Sequence, residues 1–128
     1  MTVEPVEPVE SVDGPAAGVD TDDRDGVLVA TISGELDPDT VDAVGAALFD
    51  LFDEKPHALV VDLAVAFMSS AGLSMLLKLH SRAQTDEIGF AVVAKNNAAQ
   101  DPLFISGLSE VLPLADTVDE AVESLRKS

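Results

Sequence analysis

The chain has 128 residues, no cysteine and a formal net charge of −17 at pH 7, from 7 basic and 24 acidic residues. This length accommodates one domain with one hydrophobic core, and the lack of cysteine excludes disulfides, thiol nucleophiles and cysteine-based metal sites. The negative charge argues against binding to nucleic acid or to anionic membranes. With no signal-peptide pattern and no apolar run of about 20 residues, the length that spans a bilayer, we expect a cytoplasmic protein.

Residues 1–15 are predicted to form a disordered, acidic, proline-rich tail. The tripeptide Val-Glu-Pro occurs at 3–5 and again at 6–8. Proline, acidic residues and isolated valines cannot build a core, so such a segment remains disordered. The rest of the chain, residues 16–128, is predicted to be the single folded domain.

The domain is predicted to begin with a β-hairpin followed by a helix. A turn cluster at 22–26 precedes a clear strand at 27–32, and residues 16–20 are a candidate partner strand. Asp37 is predicted to be the N-cap of the following helix, with Pro38 as its first residue, because these residue types favour those positions. An apolar stripe at helical spacing follows.

A second helix, predicted to start after Ser70 and to run to about Gln84, follows a short and continuously apolar strand at 58–63. Two of its apolar residues, Met75 and Leu79, lie off the predicted buried stripe. A surface helix normally has one stripe, so the extra face is either core, which we expect, or a docking surface beside the preceding serines. The predicted stripe consists of Leu73, Leu76 and Leu77.

The stretch between this strand and this helix contains two adjacent serines, Ser69 and Ser70. A serine at such a junction can cap the helix with its side-chain oxygen, and Ser70, directly before the predicted helix, is the candidate cap. The positive end of the helix also favours negative charge, so a phosphate here would meet free backbone N–H groups. The residues alone leave two interpretations open: the serines only cap the helix, or one of them is a phosphorylation site.

The last third of the chain continues the alternation of strands and helices. Proline inside a helix should bend it or delay its start. The alternation predicts an α/β fold with a small, largely parallel or mixed sheet of about four to five strands, packed with about four helices. The predicted elements are a strand at 89–94, a helix at 98–106 that contains Pro102, an edge strand at 111–114 and a last helix with Thr117 and Glu120 as its capping box.

Motifs for catalysis and metal binding are absent from the sequence. Neither glycine-rich phosphate loop occurs, and His57 and His80 do not have the spacing of metal ligands. A serine hydrolase would need the elbow G-x-S-x-G, and the stretch around Ser70 lacks the first glycine. We therefore expect no catalytic residue, no metal and no cofactor.

Taken together, the motifs of this chain resemble those of the STAS-domain family of bacterial anti-sigma factor antagonists. The resemblance extends from about Val19 to Leu125 and implies a single STAS-like domain. The motifs that carry it, in chain order, are Gly34–Asp37, the strand 59–63 with Asp62, Phe67–Leu73, Ser106–Leu108, 111–114 and Asp119–Ala121.

The resemblance implies a partner-switching regulator that is not an enzyme. Such proteins bind an anti-sigma factor, often a serine kinase, and free a sigma factor until the kinase phosphorylates the serine at the start of the central helix. That position matches Ser70, and Ser69, which stands where the family usually has Asp, is a second candidate. The protein is expected to be a monomer or weak dimer. The implied partner-binding residues are Asp37, Met68, Ser69, Ser70, Ala71, Gly72, Leu73 and Met75.

Two other functions remain open from the sequence. One is a STAS-like module that binds a small ligand or scaffolds a sensory complex, which a copurified ligand would favour. The other, more distant, is a serine hydrolase, which would cleave an activated ester and lose that activity in Ser70→Ala. A neighbouring gene for a kinase-like anti-sigma factor would favour the antagonist.

Overall fold

Within residues 17–127, the part that the computed structural model of the chain describes, five strands form one mixed sheet and four α-helices pack on it. The strand order is β1-β2-β3-β4-β5. The predicted tail at 1–15 lies outside the described residues. The elements are β1 Gly18–Arg24, β2 Val27–Leu36, α1 Val41–Asp53, β3 Ala58–Met68, α2 Ser70–Asp86, β4 Gly89–Ala94, α3 Asn97–Ser106, a 3₁₀ turn Leu108–Glu110, β5 Leu114–Ala115 and α4 Val118–Arg126.

The sheet joins an antiparallel hairpin to a parallel α/β unit, which confirms the predicted fold class. β1 and β2 are antiparallel, whereas β2–β3, β3–β4 and β4–β5 are parallel pairs. The hairpin turn has φ values of 57° at Asp25 and 91° at Gly26, as a tight two-residue turn requires. Because only two residues form the turn, β1 continues to Arg24, beyond the predicted end at residue 20.

Both faces of the sheet bury a mostly aliphatic core, in which Phe52 and Phe90 are the buried aromatic residues of the described chain. Helices α1, α2 and α3 cover one face, where Leu48, Leu63 and Leu76 are fully buried. α4 covers the other face with Val118 and Val122. Parallel strands are stable when both faces are covered in this way. The loop after β2 and the start of α2 lie at the carboxyl ends of these strands.

The buried stripe of α2 differs from the predicted one. A methyl group at Gly45 of α1 would lie 3.6 Å from Met75, so α2 packs against α1 as well as against the sheet. The expectation that Met75 and Leu79 belong to the core is therefore confirmed. Leu77 is 39% exposed, so its placement in the stripe is wrong. The buried residues are Gly72, Met75, Leu76, Leu79 and Ala83.

Helix α3 starts ahead of its proline. It begins at Asn97, and the side chain of Asn96 accepts the N–H of Ala99 at 3.1 Å. Of the two predicted effects of Pro102, the delayed start is therefore wrong, because the Asn96 N-cap fixes the start ahead of the proline. The bend stays a prediction. No helix within residues 17–127 combines the length and the apolar character needed to cross a membrane.

The end of the chain follows the predicted order with a shifted strand. The N–H groups of Val111 and Leu112 donate to the C=O of Leu108 in the 3₁₀ turn and are not available to a strand. β5 therefore forms only at Leu114–Ala115, at the edge of the sheet as predicted. α4 begins after Thr117, whose hydroxyl accepts the N–H of Glu120 at 3.0 Å. The predicted N-cap of the last helix is therefore confirmed.

Candidate functional site

The candidate site lies where β3 meets α2. β3 ends at Met68, and α2 begins at Ser70. The backbone N–H of Ser69, between them, donates to the C=O of Leu36 at the end of β2, over 2.8 Å. The loop after β2 and the first turn of α2 therefore lie side by side at the carboxyl edge of the parallel strands, which is the usual edge for binding sites in α/β sheets.

Ser69 is the N-cap of α2. Its Oγ accepts the N–H of Ala71 at 3.2 Å, and its C=O accepts the N–H of Gly72 at 3.0 Å. The expectation that a serine caps the helix is confirmed for Ser69, and assigning that cap to Ser70 is wrong. Serine and aspartate cap helices about equally well, so the chain keeps a capping oxygen at the position where the resembled family usually has Asp.

Removing this cap should destabilise the domain. Ser69→Ala is expected to lower the free energy of unfolding by about 1 kcal/mol, whereas Ser70→Ala should change it by less than about 0.5 kcal/mol. Ser69→Asp, which retains a capping oxygen, is the matched control and should stay close to wild type. Urea denaturation of the three variants measures these differences. Equal stability of the two alanine variants would contradict the assignment of the cap to Ser69.

Ser70 is exposed, and its hydroxyl has no hydrogen-bond partner among residues 17–127. The first turn of α2 contains no acidic residue, so no side chain there competes with an added negative charge for the positive end of the helix. The N–H groups of Ala71 and Gly72 already donate to Ser69. The expectation of several free N–H groups is therefore wrong in part, since among the first three only that of Ser70 lacks an acceptor.

Position 72 has room for glycine only. A Cβ on Gly72 would lie 2.8 Å from Cγ of Met68 and 3.2 Å from Cβ of Leu36, which is closer than the optimal separation of non-bonded carbons. The first turn of α2 therefore sits directly on the ends of β2 and β3. Met68, Gly72 and Met75 are buried. These three predicted partner-binding residues therefore pack beneath the exposed residues at the start of α2.

An exposed face of α2 extends from Ser70. Residues spaced three, four and seven apart share one face of a helix, and Leu73, Ser74 and Leu77 have these spacings from Ser70. Leu73 is half-buried and Leu77 is more exposed. We refer to Ser70, Ala71, Leu73, Ser74 and Leu77 as the helix-start surface.

Sequence reasoning missed two exposed apolar side chains near this point, Leu77 and Phe67. Phe67, the residue before the end of β3, is 50% exposed. The predicted strand ended at residue 63, so no strand alternation extended to Phe67 to predict which way its side chain points. Because α2 has apolar residues on several sides, its sequence pattern likewise did not indicate that Leu77 is exposed.

A groove between α1 and α2 borders the helix-start surface and shares Ala71 and Ser74 with it. It has a volume of about 530 Å³ and is open to solvent. Its walls carry one acidic and one basic residue, so it suits a protruding side chain of a partner. The other lining residues are Val41, Asp42, Gly45, Ala46, Phe49, Met75 and Lys78.

Asp37 closes a turn before α1 and does not cap the helix. Its Oδ1 accepts the N–H of Asp39 at 2.9 Å and of Thr40 at 3.1 Å. α1 begins at Val41 with Thr40 as its N-cap, so the predicted start at Pro38 is wrong. An Asp side chain that bonds to the backbone two residues on forms a separate turn. Asp37 follows Leu36, which bonds to Ser69, and therefore lies beside the start of α2.

Among residues 17–127, neither histidine forms a hydrogen bond with the hydroxyl of Ser70. Nε2 of His57 lies 3.0 Å from the C=O of Leu125, and the ring of His80 stacks on Phe90 with 5.7 Å between centroids. Among residues 17–127, no group of three or more His, Asp or Glu side chains is arranged to hold a metal ion.

Asp62 lies on the other face of the sheet, away from the helix-start surface. It is the buried charged residue of the described chain, and its Oδ2 accepts from Lys95 at 3.3 Å and from Thr31 at 3.4 Å. Removing Lys95 or Thr31 would leave a buried carboxylate with fewer donors, which is costly. Asp62 is thus part of the packing beside α4.

Three of the proteins that this chain resembles are anti-sigma factor antagonists. The STAS domain family matches residues 18–121. The anti-sigma-F factor antagonist RsfB of Mycobacterium tuberculosis is 35% identical over 109 residues, which cover 81% of this chain and 85% of the relative. The crystal structure of an anti-sigma factor antagonist from Mycobacterium paratuberculosis has a TM-score of 0.81 and 36% identity, covering 87% of this chain and 95% of that chain. The unphosphorylated anti-sigma factor antagonist SpoIIAA shares the fold, with a TM-score of 0.70 and 18% identity over 87% of this chain and 98% of its own.

Proposed function

The chain belongs to the STAS-domain family, and from this membership we propose that it binds an anti-sigma factor and thereby frees a sigma factor. Its homologues are regulatory binding proteins and not enzymes, and this chain is likewise not an enzyme. The observation that carries the proposal is the exposed hydroxyl of Ser70, which has no hydrogen-bond partner among residues 17–127 and opens α2 beside a partly apolar face of an otherwise acidic chain.

The helix-start surface suits contact with a protein. Leu73 and Leu77 offer apolar area, and each square ångström removed from water contributes about 25 cal/mol. Ser70, Ala71 and Ser74 are small, so the backbone of a partner can approach α2 closely. The groove beside them supplies a recess for one partner side chain, with Asp42 and Lys78 available for polar contacts at its walls.

We infer that phosphorylation of Ser70 ends this binding. The Ser70 hydroxyl is exposed and unpaired, whereas Oγ of Ser69 is occupied as the helix cap. A phosphate adds a charge of about −1.5 to −2. The positive end of α2 tolerates this charge within the fold, but binding would have to desolvate it against apolar side chains. A penalty of about 2.8 kcal/mol weakens binding roughly a hundredfold.

The kinase in this proposal is the anti-sigma factor itself. Incubation of the chain with its anti-sigma factor and ATP, followed by mass spectrometry, should place one phosphate on Ser70. Ser70→Ala should lose the modification. Ser69→Asp, which keeps the cap and removes the second hydroxyl, should retain it. Modification of Ser69 alone would move the switch by one residue, and an unmodified wild type beside an active kinase would contradict the switch.

The groove between α1 and α2 also favours a second candidate, a module that binds a small ligand or scaffolds a sensory complex. Its volume of about 530 Å³ is within the size of small-molecule sites. Native mass spectrometry of the purified chain distinguishes the two functions. A stoichiometric ligand would favour the module, and a ligand-free chain that binds the anti-sigma factor would favour the antagonist.

A further inference from the structure

Four large apolar side chains are exposed where the end of α3, the 3₁₀ turn and β5 come together. Phe104 is 67% exposed, Ile105 87%, Val111 54% and Leu114 40%. Phe104 and Leu114 line one open concavity of about 180 Å³. We refer to these four residues as the α3–β5 patch. A cluster of exposed apolar side chains on a small domain marks an interaction surface more often than scattered single residues do.

The α3–β5 patch is separate from the helix-start surface. The N-cap of α3, Asn96, donates to the C=O of Val65 near the carboxyl edge of the sheet, over 3.0 Å. At 1.5 Å per residue, Phe104 lies roughly 12 Å further along the helix axis. No patch residue lines the groove between α1 and α2. The patch therefore shares no residue with the helix-start surface or with the groove beside it.

Carboxylates without a counter-ion border the patch. Asp101 precedes Ile105 by four residues, one helical turn, and Asp116 lines the concavity together with Phe104. Glu110 is adjacent to the patch in the chain. All three are exposed, and within residues 17–127 none of them takes part in an ion pair.

The surrounding sequence supplies no positive charge to compensate for them. From Asn96 to Leu125 the chain contains no Lys, Arg or His. Exposed carboxylates around an apolar centre complement a surface with the opposite charge, and they repel one with the same charge. The patch therefore selects a partner by its charge as well as by its apolar centre.

We propose that the α3–β5 patch binds a protein that presents an apolar side chain bordered by Lys or Arg residues. A second copy of this chain fits poorly, because a symmetric contact would place the same unpaired carboxylates opposite one another. Residues 1–15 fit poorly too, since they contain acidic residues and no basic one. This interaction is distinct from the proposed binding of an anti-sigma factor and does not depend on it.

The test uses two helical peptides of equal length, each with leucines along one face, bordered in one peptide by lysines and in the other by glutamates. Titration of the full ¹⁵N-labelled chain should shift the amide signals of the patch residues with the lysine peptide only. Phe104→Ser combined with Ile105→Ser should weaken its binding at least about tenfold, and Asp101→Asn combined with Asp116→Asn at least about threefold. Phe67→Ser, the same substitution at an exposed phenylalanine outside the patch, should leave the affinity unchanged.

Several results would overturn the proposal. These are equal affinity for the two peptides, unchanged affinity of either double variant, or shifts confined to the helix-start surface. Concentration-dependent shifts of the patch signals without peptide would also overturn it, since a second copy would then be the occupant. Because all substituted side chains are exposed, the thermal midpoints of the variants should stay near wild type, so lost binding will not reflect unfolding.

Discussion

Leu76→Ala is expected to lower the free energy of unfolding by about 2–5 kcal/mol, the range for a leucine truncated in a well-packed core. Leu76 is fully buried between α2 and the sheet. A domain of this kind has a total stability of about 5–15 kcal/mol, so the variant would lose a large part of it. The effect follows from lost apolar contacts and from the cavity that the smaller side chain leaves.

Leu77→Ala is the matched control, since it makes the same truncation one residue further along the helix. Leu77 is 39% exposed, so its truncation should cost less than about 1 kcal/mol. Guanidinium denaturation of both variants, with equal slopes, gives the comparison. A near-zero effect of Leu76→Ala, or equal effects of the two substitutions, would mean that the buried face of α2 is assigned incorrectly.

Ser70→Glu is expected to weaken binding of the anti-sigma factor at least about a hundredfold, which corresponds to about 2.8 kcal/mol. The substitution places a negative charge on the helix-start surface, where binding would bury it against apolar side chains. Stability should not fall, because a carboxylate in the first turn of a helix interacts favourably with the positive end. Ser70→Ala should bind nearly as well as wild type, since it remains small and neutral.

Gln84→Glu is the control that distinguishes an effect of charge at position 70 from a general effect of one added negative charge. Gln84 is exposed in the last turn of α2, roughly 21 Å from Ser70 along the helix axis. This variant gains the same charge and should bind like wild type in calorimetric titrations. Equal weakening by Ser70→Glu and Gln84→Glu would indicate a general electrostatic effect. Wild-type affinity of Ser70→Glu would contradict the proposal that a negative charge at position 70 ends binding.

The order of elements and the place of the site were predictable because they depend on local patterns. Continuous apolar runs marked the parallel strands, and the junction before Ser70 marked the start of α2. The motif Phe67–Leu73 contains Gly72, and the structure shows why glycine is needed there: Met68 and Leu36 leave no space for a Cβ. The cap moved from Ser70 to Ser69, a shift of one residue that only backbone geometry decides.

Features that depend on packing between elements were not predictable. Whether Leu77 or Met75 faces the core depends on where α1 lies, and periodicity within α2 does not contain that information. The start of α1 shifted because the carboxylate of Asp37 satisfies the N–H groups of Asp39 and Thr40 in a separate turn. The exposure of Phe104 was also not predictable from the sequence, because an apolar residue inside a helix is normally expected to face the core.

A competition assay with purified components tests the central claim, release of a sigma factor, most directly. A preformed complex of the sigma factor and the anti-sigma factor is titrated with this chain, and free sigma factor is measured by its binding to core RNA polymerase. The account predicts dose-dependent release by wild type and by Ser70→Ala, and little release by Ser70→Glu. Failure of the wild-type chain to release sigma factor at concentrations that saturate its binding to the anti-sigma factor would contradict it.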